Sequence, residues 1–419
     1  MKRRPSRTSP SSRARVSRAA TFYQYDCRHF RGEKPCGVAE RCEGCGAYDP
    51  VTRRILIIKL AARGDVLRTT PLLRAFRRES PAAHITWVVD EASFELLRGN
   101  PLIDRLLVFR WEDLLPLFVE RFDLLLSLDK EPRASALAMR VDAADKRGFG
   151  LGREGAVRPL SPESQYAYDL GLDDRLKFFE NTKTYQEIVF EMAGLPYGGE
   201  RYVYEASAEE RGEAARALAR AGLGASERAI GLNTGGGRAF AQKGWTVGGF
   251  ARVAERIESE LARRVVLLGG DDERDKNEAI ASASRAATIV PGTLPVRVFA
   301  ALLGRLDAVV TGDTLGLHLA LAMERPVVAL FGSTTPREIE LYGLGEKIVP
   351  HVECAPCYLR ECPMTSTCMD SIGVDEVFGA LERIVGAPVS SRVRSAARVP
   401  ARAPSRERSP ARGRSRSRG

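Results

Sequence analysis

From Arg54 onward the chain alternates between short apolar runs and longer segments whose apolar residues recur every three or four positions. "ILIIKL", Ile55 to Leu60, is nearly continuous and rich in β-branched residues, the mark of a strand buried on both faces. "VLRTTPLLRAFRRE" then has helical spacing, and "HITWVV", "RLLVF" and "FDLLLSLD" supply three further strands. Residues 150–205 break the rhythm, and their Tyr, Phe, Gly and mixed charge predict loops with a connecting helix. The alternation then restarts, with "AIGLN", "VVLLGG", "DAVVTGD" and "PVVALFG" as strands. Between them, "FARVAERIESELARR" places Phe250, Val253, Ala254, Ile257 and Leu261 on one helical face, and "VRVFAALLGRL" and "TLGLHLALAME" are also helical. Two such sets predict an α/β protein of two Rossmann-like, doubly wound domains. Ligands in such folds bind outside the carboxyl ends of the strands, here in the cleft between the domains.

Charge changes this picture at the ends. The net charge is +10, but residues 1–20 hold seven Lys/Arg and no acid, and residues 387–419 hold ten Arg and one Glu. The tails therefore carry +7 and +9, and the residues between them carry −6. Tails so rich in Arg, Ser, Pro and Ala bury too little apolar surface to offset ordering entropy and are expected to be disordered. The expected organisation is a basic tail at 1–20, a Cys-rich extension at 21–50, domains at 51–200 and 201–386, and a second basic tail at 387–419. No apolar run reaches the roughly 20 residues of a membrane span. The basic start is not followed by an apolar signal segment, so an intracellular protein is expected.

The eight cysteines fall into two groups: Cys27, Cys36, Cys42 and Cys45, and Cys354, Cys357, Cys362 and Cys368. In an intracellular chain this grouping suggests metal or redox chemistry more than a disulfide framework. Four thiolates suit structural zinc or an iron–sulfur cluster, although each group has one CxxC and neither matches a paired CxxC…CxxC ribbon. Reduced thiols in ordered loops are the alternative.

Three stretches carry candidate chemistry. In "VVTGDTLGLHLALAMERPVVALFGSTTP", Asp313 follows a strand and is placed to cap the next helix, whose N-terminus suits a phosphate. Thr314 and His318 share a face of that helix, and Gly316 leaves room for a ligand or for close packing. In "LNTGGGRAFAQKGW", a strand ends at Thr234, Gly235 and two more glycines, with Lys243 beyond. Backbone amides there can approach a phosphate while Lys supplies charge, although the sequence is not a Walker A motif. In "KLAARGDVLRTTPLLRAF", Asp65 is either an N-cap, contributing about 1 kcal/mol, or an acid facing the cleft.

The ordered set "ILIIKLAARGDVLRTTPLL", "NTGGGRAFAQKGW", "VVLLGGDDERD", "GDTLGLHLALA" and "VVALFG", spanning about Arg54 to Val385, resembles glycosyltransferase family 9, the ADP-heptose–lipopolysaccharide heptosyltransferase family. The resemblance implies a GT-B fold and metal-independent, inverting transfer of a sugar from a nucleotide-diphosphate donor to a lipid-linked saccharide, without a catalytic cofactor. It implies that Asp65 is the catalytic base and that Lys243 contacts donor phosphate. Asp313, Thr314, Gly316 and His318 match the phosphate-binding turn, with Thr234 and Gly235 on the donor side. One of Asp271, Asp272 and Glu273 lies where an acid binds ribose hydroxyls. Leu315 occupies a position the family often gives to glycine, which leaves the donor's identity open.

Two other readings stand beside this one: another GT-B enzyme such as a nucleotide-sugar epimerase, and an RNA-binding protein acting through its Arg/Ser tails. Nucleic acid is disfavoured because the tails lack aromatic residues for stacking and the middle is acidic. The tails instead fit an anionic membrane surface, where each basic residue contributes about 1 kcal/mol. Full-length protein should therefore co-sediment with anionic vesicles at low salt and be released at high salt, whereas residues 21–386 alone should not bind. Equal binding by both, or a preference of the full chain for RNA over vesicles, would contradict the membrane role.

Overall fold

Ile55 to Ile58 are fully buried because β1 (Arg53–Ile58) runs through the centre of a six-stranded sheet. The computed structural model describes residues 22–236, 243–290 and 292–386, so both basic tails, with Gly237 of the glycine run, lie outside the described residues. The first sheet contains β1, β2 (Ala83–Val89), β3 (Arg105–Val108), β4 (Arg121–Ser127), β5 (Asp142–Leu151) and β6 (Val157–Pro159). Its order is β3-β2-β1-β4-β5-β6, parallel except for the final antiparallel pair. The second contains β7 (Ala229–Asn233), β8 (Arg264–Leu268), β9 (Ala287–Ile289), β10 (Ala308–Gly312), β11 (Val327–Leu330) and β12 (Gly345–Ile348). Its order is β12-β11-β10-β7-β8-β9, parallel throughout. These are the two Rossmann-like domains expected from the apolar pattern.

Strand order reverses between β1 and β4 in one sheet and between β7 and β10 in the other. Such switch points open a crevice at the carboxyl ends of the strands. Arg297 ties the domains together. Its guanidinium donates to the carbonyls of Glu95 (3.2 Å), Arg98 (3.1 Å) and Glu205 (2.7 Å) and pairs with Glu210.

The segment after β1 departs from expectation. It forms two helices, Arg63–Thr69 and Pro71–Glu79, because Pro71 has no N–H to continue the first and fits the first turn of the second. The irregular stretch 150–205 includes the end of β5, β6 and the helix Tyr185–Ala193, which Thr184 and Glu187 open with a capping box. β5 escaped the sequence reading because "DAADKRGFGL" is half-exposed and lacks an apolar run.

Residues 22–52 form a separate unit of turns. A bridge pairs Cys27 with Pro50, Tyr48 donates to Asp26 at 2.5 Å, and Tyr23 stacks on Phe30 at 5.4 Å.

One strand contact has a testable consequence. Gly148 of β5 pairs with Ser127 of β4 at φ +91°, and a Cβ there would lie 1.9 Å from the Ser127 carbonyl oxygen. Gly148→Ala should destabilise by at least about 2 kcal/mol in urea unfolding. Gly248→Ala, in open space on the helix Val247–Leu261, should be neutral or slightly stabilising.

Candidate active site

The turn leaving β1 carries a cluster of buried charge. Lys59 is 4% exposed and forms an ion pair with Asp129, which follows β4, so the pair closes the first switch point. Asp129 also accepts from the Leu60 and Ala61 amides. Burial opposes the charge on Lys59, but Tyr185, Asp129 and Asp65 more than reverse this and hold its pKa above the ordinary value.

Asp65 stands three residues into the helix Arg63–Thr69, whose N-cap position is Ala62. It is therefore not the cap, but it lies in the first turn, where the helix dipole favours an anion. Arg68 Nη1 donates to Asp65 Oδ1 at 3.1 Å, and the Asp65 side chain keeps 37% exposure. Burial works to raise its pKa, but Lys59 and Arg68 outweigh it and hold the carboxyl below its ordinary value. Arg68 lies over the Tyr185 ring at 4.2 Å, and its Nη2 donates to the Glu338 carbonyl of the second domain at 2.6 Å.

Across the cleft, the second switch point is bound by neutral hydrogen bonds. Asn233, at the end of β7, donates to Thr311 Oγ1 (2.8 Å) and Thr314 Oγ1 (3.0 Å), and Gly316 packs directly over it. The helix Leu315–Ala322 has Thr314 at its N-cap position, without a side-chain cap bond. Asp313, expected as the cap, instead lies 3.7 Å from the ammonium of Lys243. Burial lowers the Lys243 pKa and Asp313 counters in part.

His318 points out of this helix toward the first domain. Its Nδ1 lies 3.2 Å from Tyr202 OH, and a Cβ at Gly64 would lie 2.7 Å from its ring. Only glycine at position 64 admits the imidazole beside the Asp65 turn.

The described residues of the glycine turn make local contacts. The Thr234 side chain is buried, and its hydroxyl donates to Asn277 Oδ1 at 2.6 Å. Gly235 lies beside Glu273, which also accepts from the Gly270 amide at 2.9 Å. Asp271 is occupied by Arg274 and by Thr293, whose hydroxyl donates at 2.7 Å. Of the three acids considered for ribose, these contacts place Glu273 beside the glycine turn.

Sequence similarity identifies the family. The profile of glycosyltransferase family 9 (heptosyltransferase) matches residues 117–367, more than half of the chain. The chain belongs to glycosyltransferase family 9. It is 25% identical over 333 residues to lipopolysaccharide heptosyltransferase 1 of Pseudomonas aeruginosa, covering 75% of this chain and 88% of that protein. Solved structures share the fold. The family 9 glycosyl transferase of Veillonella parvula superposes with TM-score 0.62 at 21% identity, over 80% of this chain and 97% of that one. The ADP-heptose LPS heptosyltransferase II of E. coli gives TM-score 0.58 at 19% identity, over 79% and 98%. The protein is thus an enzyme of the glycosyltransferase class.

Within this family 9 enzyme the structure brings Asp65 and His318 together, and pairs Lys243 with Asp313. It does not assemble the expected metal site at Cys27, Cys36, Cys42 and Cys45. Among the described residues no three His, Cys, Asp or Glu side chains are grouped to hold an ion. The 22–52 unit is built of turns, and Cys36 there donates to the His29 carbonyl at 3.8 Å. Cys354, Cys357, Cys362 and Cys368 line one pocket with Lys243 and Ser333. Burial, followed by the other three thiols, raises the Cys368 pKa. Sequence reasoning missed Lys59, Arg68, Asp129 and Glu338. A lysine inside the apolar run "ILIIKL" was the one available signal, since a buried cation requires a partner.

His318 yields a pH prediction. Burial, reinforced by Arg68, lowers its pKa from 6.5 to about 4, against Asp313 and Asp65. Between those values the unfolded chain binds a proton that the folded chain refuses, so stability falls as pH drops from about 6.5 to about 4 and levels below that. The full effect is on the order of 3 kcal/mol. Urea unfolding across this range should show the slope in wild type and lose most of it in His318→Gln; equal slopes would place the titration elsewhere.

Proposed function

We propose that the enzyme transfers a heptose, with inversion and without a catalytic metal, from a nucleotide-diphosphate donor to a lipid-linked, lipopolysaccharide-type saccharide. The observation that carries this reading is the ionised Asp65 carboxylate, part-exposed and held by Arg68, in a turn that packs at Gly64 against His318 of the opposite domain, whose helix Leu315–Ala322 begins just after the Lys243–Asp313 pair. The donor reading is supported by the E. coli relative, which is named for ADP-heptose. The first domain takes the acceptor and the second takes the donor.

In this reading the acceptor hydroxyl gives its proton to Asp65 as its oxygen bonds to the anomeric carbon. The bond from that carbon to the diphosphate breaks, and its electron pair leaves with the diphosphate. A carboxylate of low pKa is a weak base, so it serves best when proton transfer is late and the attacking oxygen has become acidic. Lys243 and the amides around Thr314 meet the growing negative charge without a divalent ion. Asp313 holds Lys243 in place, and His318 positions the Asp65 turn. A peripheral place at the inner membrane face follows from the lipid-linked acceptor; among the described residues, no helix is long and apolar enough to cross a membrane.

Two variants test these assignments. Asp65→Asn should lower kcat by about a hundredfold or more with ADP affinity nearly unchanged. Lys243→Ala should weaken ADP binding in calorimetry while leaving adenosine binding unchanged. Normal turnover in the first variant removes the base, and unchanged ADP affinity in the second moves the phosphate site elsewhere.

A further inference from the structure

Glu338 is a charged residue of the cleft that the transfer chemistry leaves unused. It lies in the loop after β11, "STTPREIELYG", which reaches back to the first domain. Its carbonyl accepts from Arg68 Nη2 at 2.6 Å and from the Tyr185 amide at 3.0 Å. Arg68 also donates to Asp65, so one guanidinium sets the Glu338 backbone and the candidate base on the same short span. The Glu338 side chain is a different matter. Its Oε1 is closed off from solvent and has no hydrogen-bond partner. An unsatisfied buried acceptor is costly, and the strongest acceptors are carboxylate oxygens. The residue as a whole is half-buried, and rotation about the last side-chain bond exchanges its two oxygens.

The surroundings define what such a group can take. The charged and titratable groups that act on the carboxylate are Arg68, Lys177, Asp65 and Asp313, and it acts in turn on the Tyr358 hydroxyl. Burial leads these influences and raises the Glu338 pKa. Three carboxylates repel a further anion, so this is not a second phosphate subsite. The two cations offset an added positive charge. What remains is a neutral ligand rich in hydroxyl donors. Lys243 and Asp313 stand on the donor-phosphate side and Asp65 on the acceptor side, so the space between them belongs to the transferred sugar.

We propose that Glu338 is a sugar-recognition residue, its carboxylate accepting hydrogen bonds from hydroxyls of the transferred sugar while Arg68 holds its backbone in register with Asp65. The assignment rests on the transferase reading and adds to it a group that selects the sugar rather than the nucleotide. A hydrogen bond to a charged group is among the stronger ones, and its loss lowers affinity about ten- to hundredfold.

The test is calorimetry of the full-length protein with two probes, ADP and ADP-heptose, in wild type, Glu338→Gln and Glu338→Ala. Glu338→Gln should bind ADP-heptose about tenfold more weakly and Glu338→Ala up to about a hundredfold, with ADP affinity within about twofold of wild type in both. Retained ADP binding also certifies that each variant is folded. The same variants should raise KM for the sugar nucleotide more than they lower kcat. Equal losses for ADP and ADP-heptose would mean a structural role and overturn the proposal, as would unchanged ADP-heptose affinity with normal transfer. Wild type that binds ADP but neither prefers nor turns over the sugar nucleotide would instead overturn the transferase reading, and this assignment with it.

Discussion

The Arg68 guanidinium occupies a position on which the geometry of the cleft depends. Its side chain is 7% exposed, and a cation so enclosed is tolerable only when anions, carbonyl oxygens or aromatic faces surround it. It has all three: Asp65 on one nitrogen, the Glu338 carbonyl on another, and Tyr185 beneath. Two of these come from the first domain and one from the second. The requirement to satisfy one buried charge therefore couples the domain approach to the setting of the candidate base. A change in the cleft that moves Glu338 must also disturb the partner of Asp65.

The same economy of charge runs through the site. Three cations are each held by a carboxylate: Lys59 by Asp129, Arg68 by Asp65, Lys243 by Asp313. His318, placed among them, is kept neutral by burial and Arg68. It can therefore fill the space against Gly64 and bond Tyr202 without adding a charge. The two switch points are closed in different ways, by an ion pair in the first domain and by the Asn233–Thr311–Thr314 hydrogen bonds in the second. A neutral closure leaves the amides at the start of the Leu315–Ala322 helix free of a competing side-chain cap. That suits a site meant for an anion.

The loop 352–368 holds the second group of cysteines and has no strand or helix before Cys368. Its Tyr358 amide donates to the Ser333 carbonyl at 2.8 Å, and its ring stacks on Phe178 of the first domain at 5.0 Å. Lys177 sits 4.3 Å from the same ring. The cysteine-bearing loop is thus a second bridge across the cleft, anchored by an aromatic pair.

Eight of the twelve described strands, the division into two repeated α/β halves and the candidacy of Asp65, Lys243 and Asp313 were legible in the sequence, because apolar runs and strand-end residues report local periodicity and the ends of β-strands face the cleft, whereas the short or half-exposed β5, β6, β9 and β12 carry no such run. The role of each polar side chain was less legible. Asp65 and Asp313 both read as helix caps, and neither is one, since a cap depends on a single residue of backbone register that propensity does not resolve. Thr234 read as a ligand contact, yet its hydroxyl is spent on Asn277, 43 residues away in the chain. Arg68 and Glu338 are 270 residues apart, and nothing near either one announces the other. Local pattern determines which segments become strands and helices. Which charges meet is decided only when the two sheets pack, because desolvation forces each buried charge to find its partner wherever the fold supplies one.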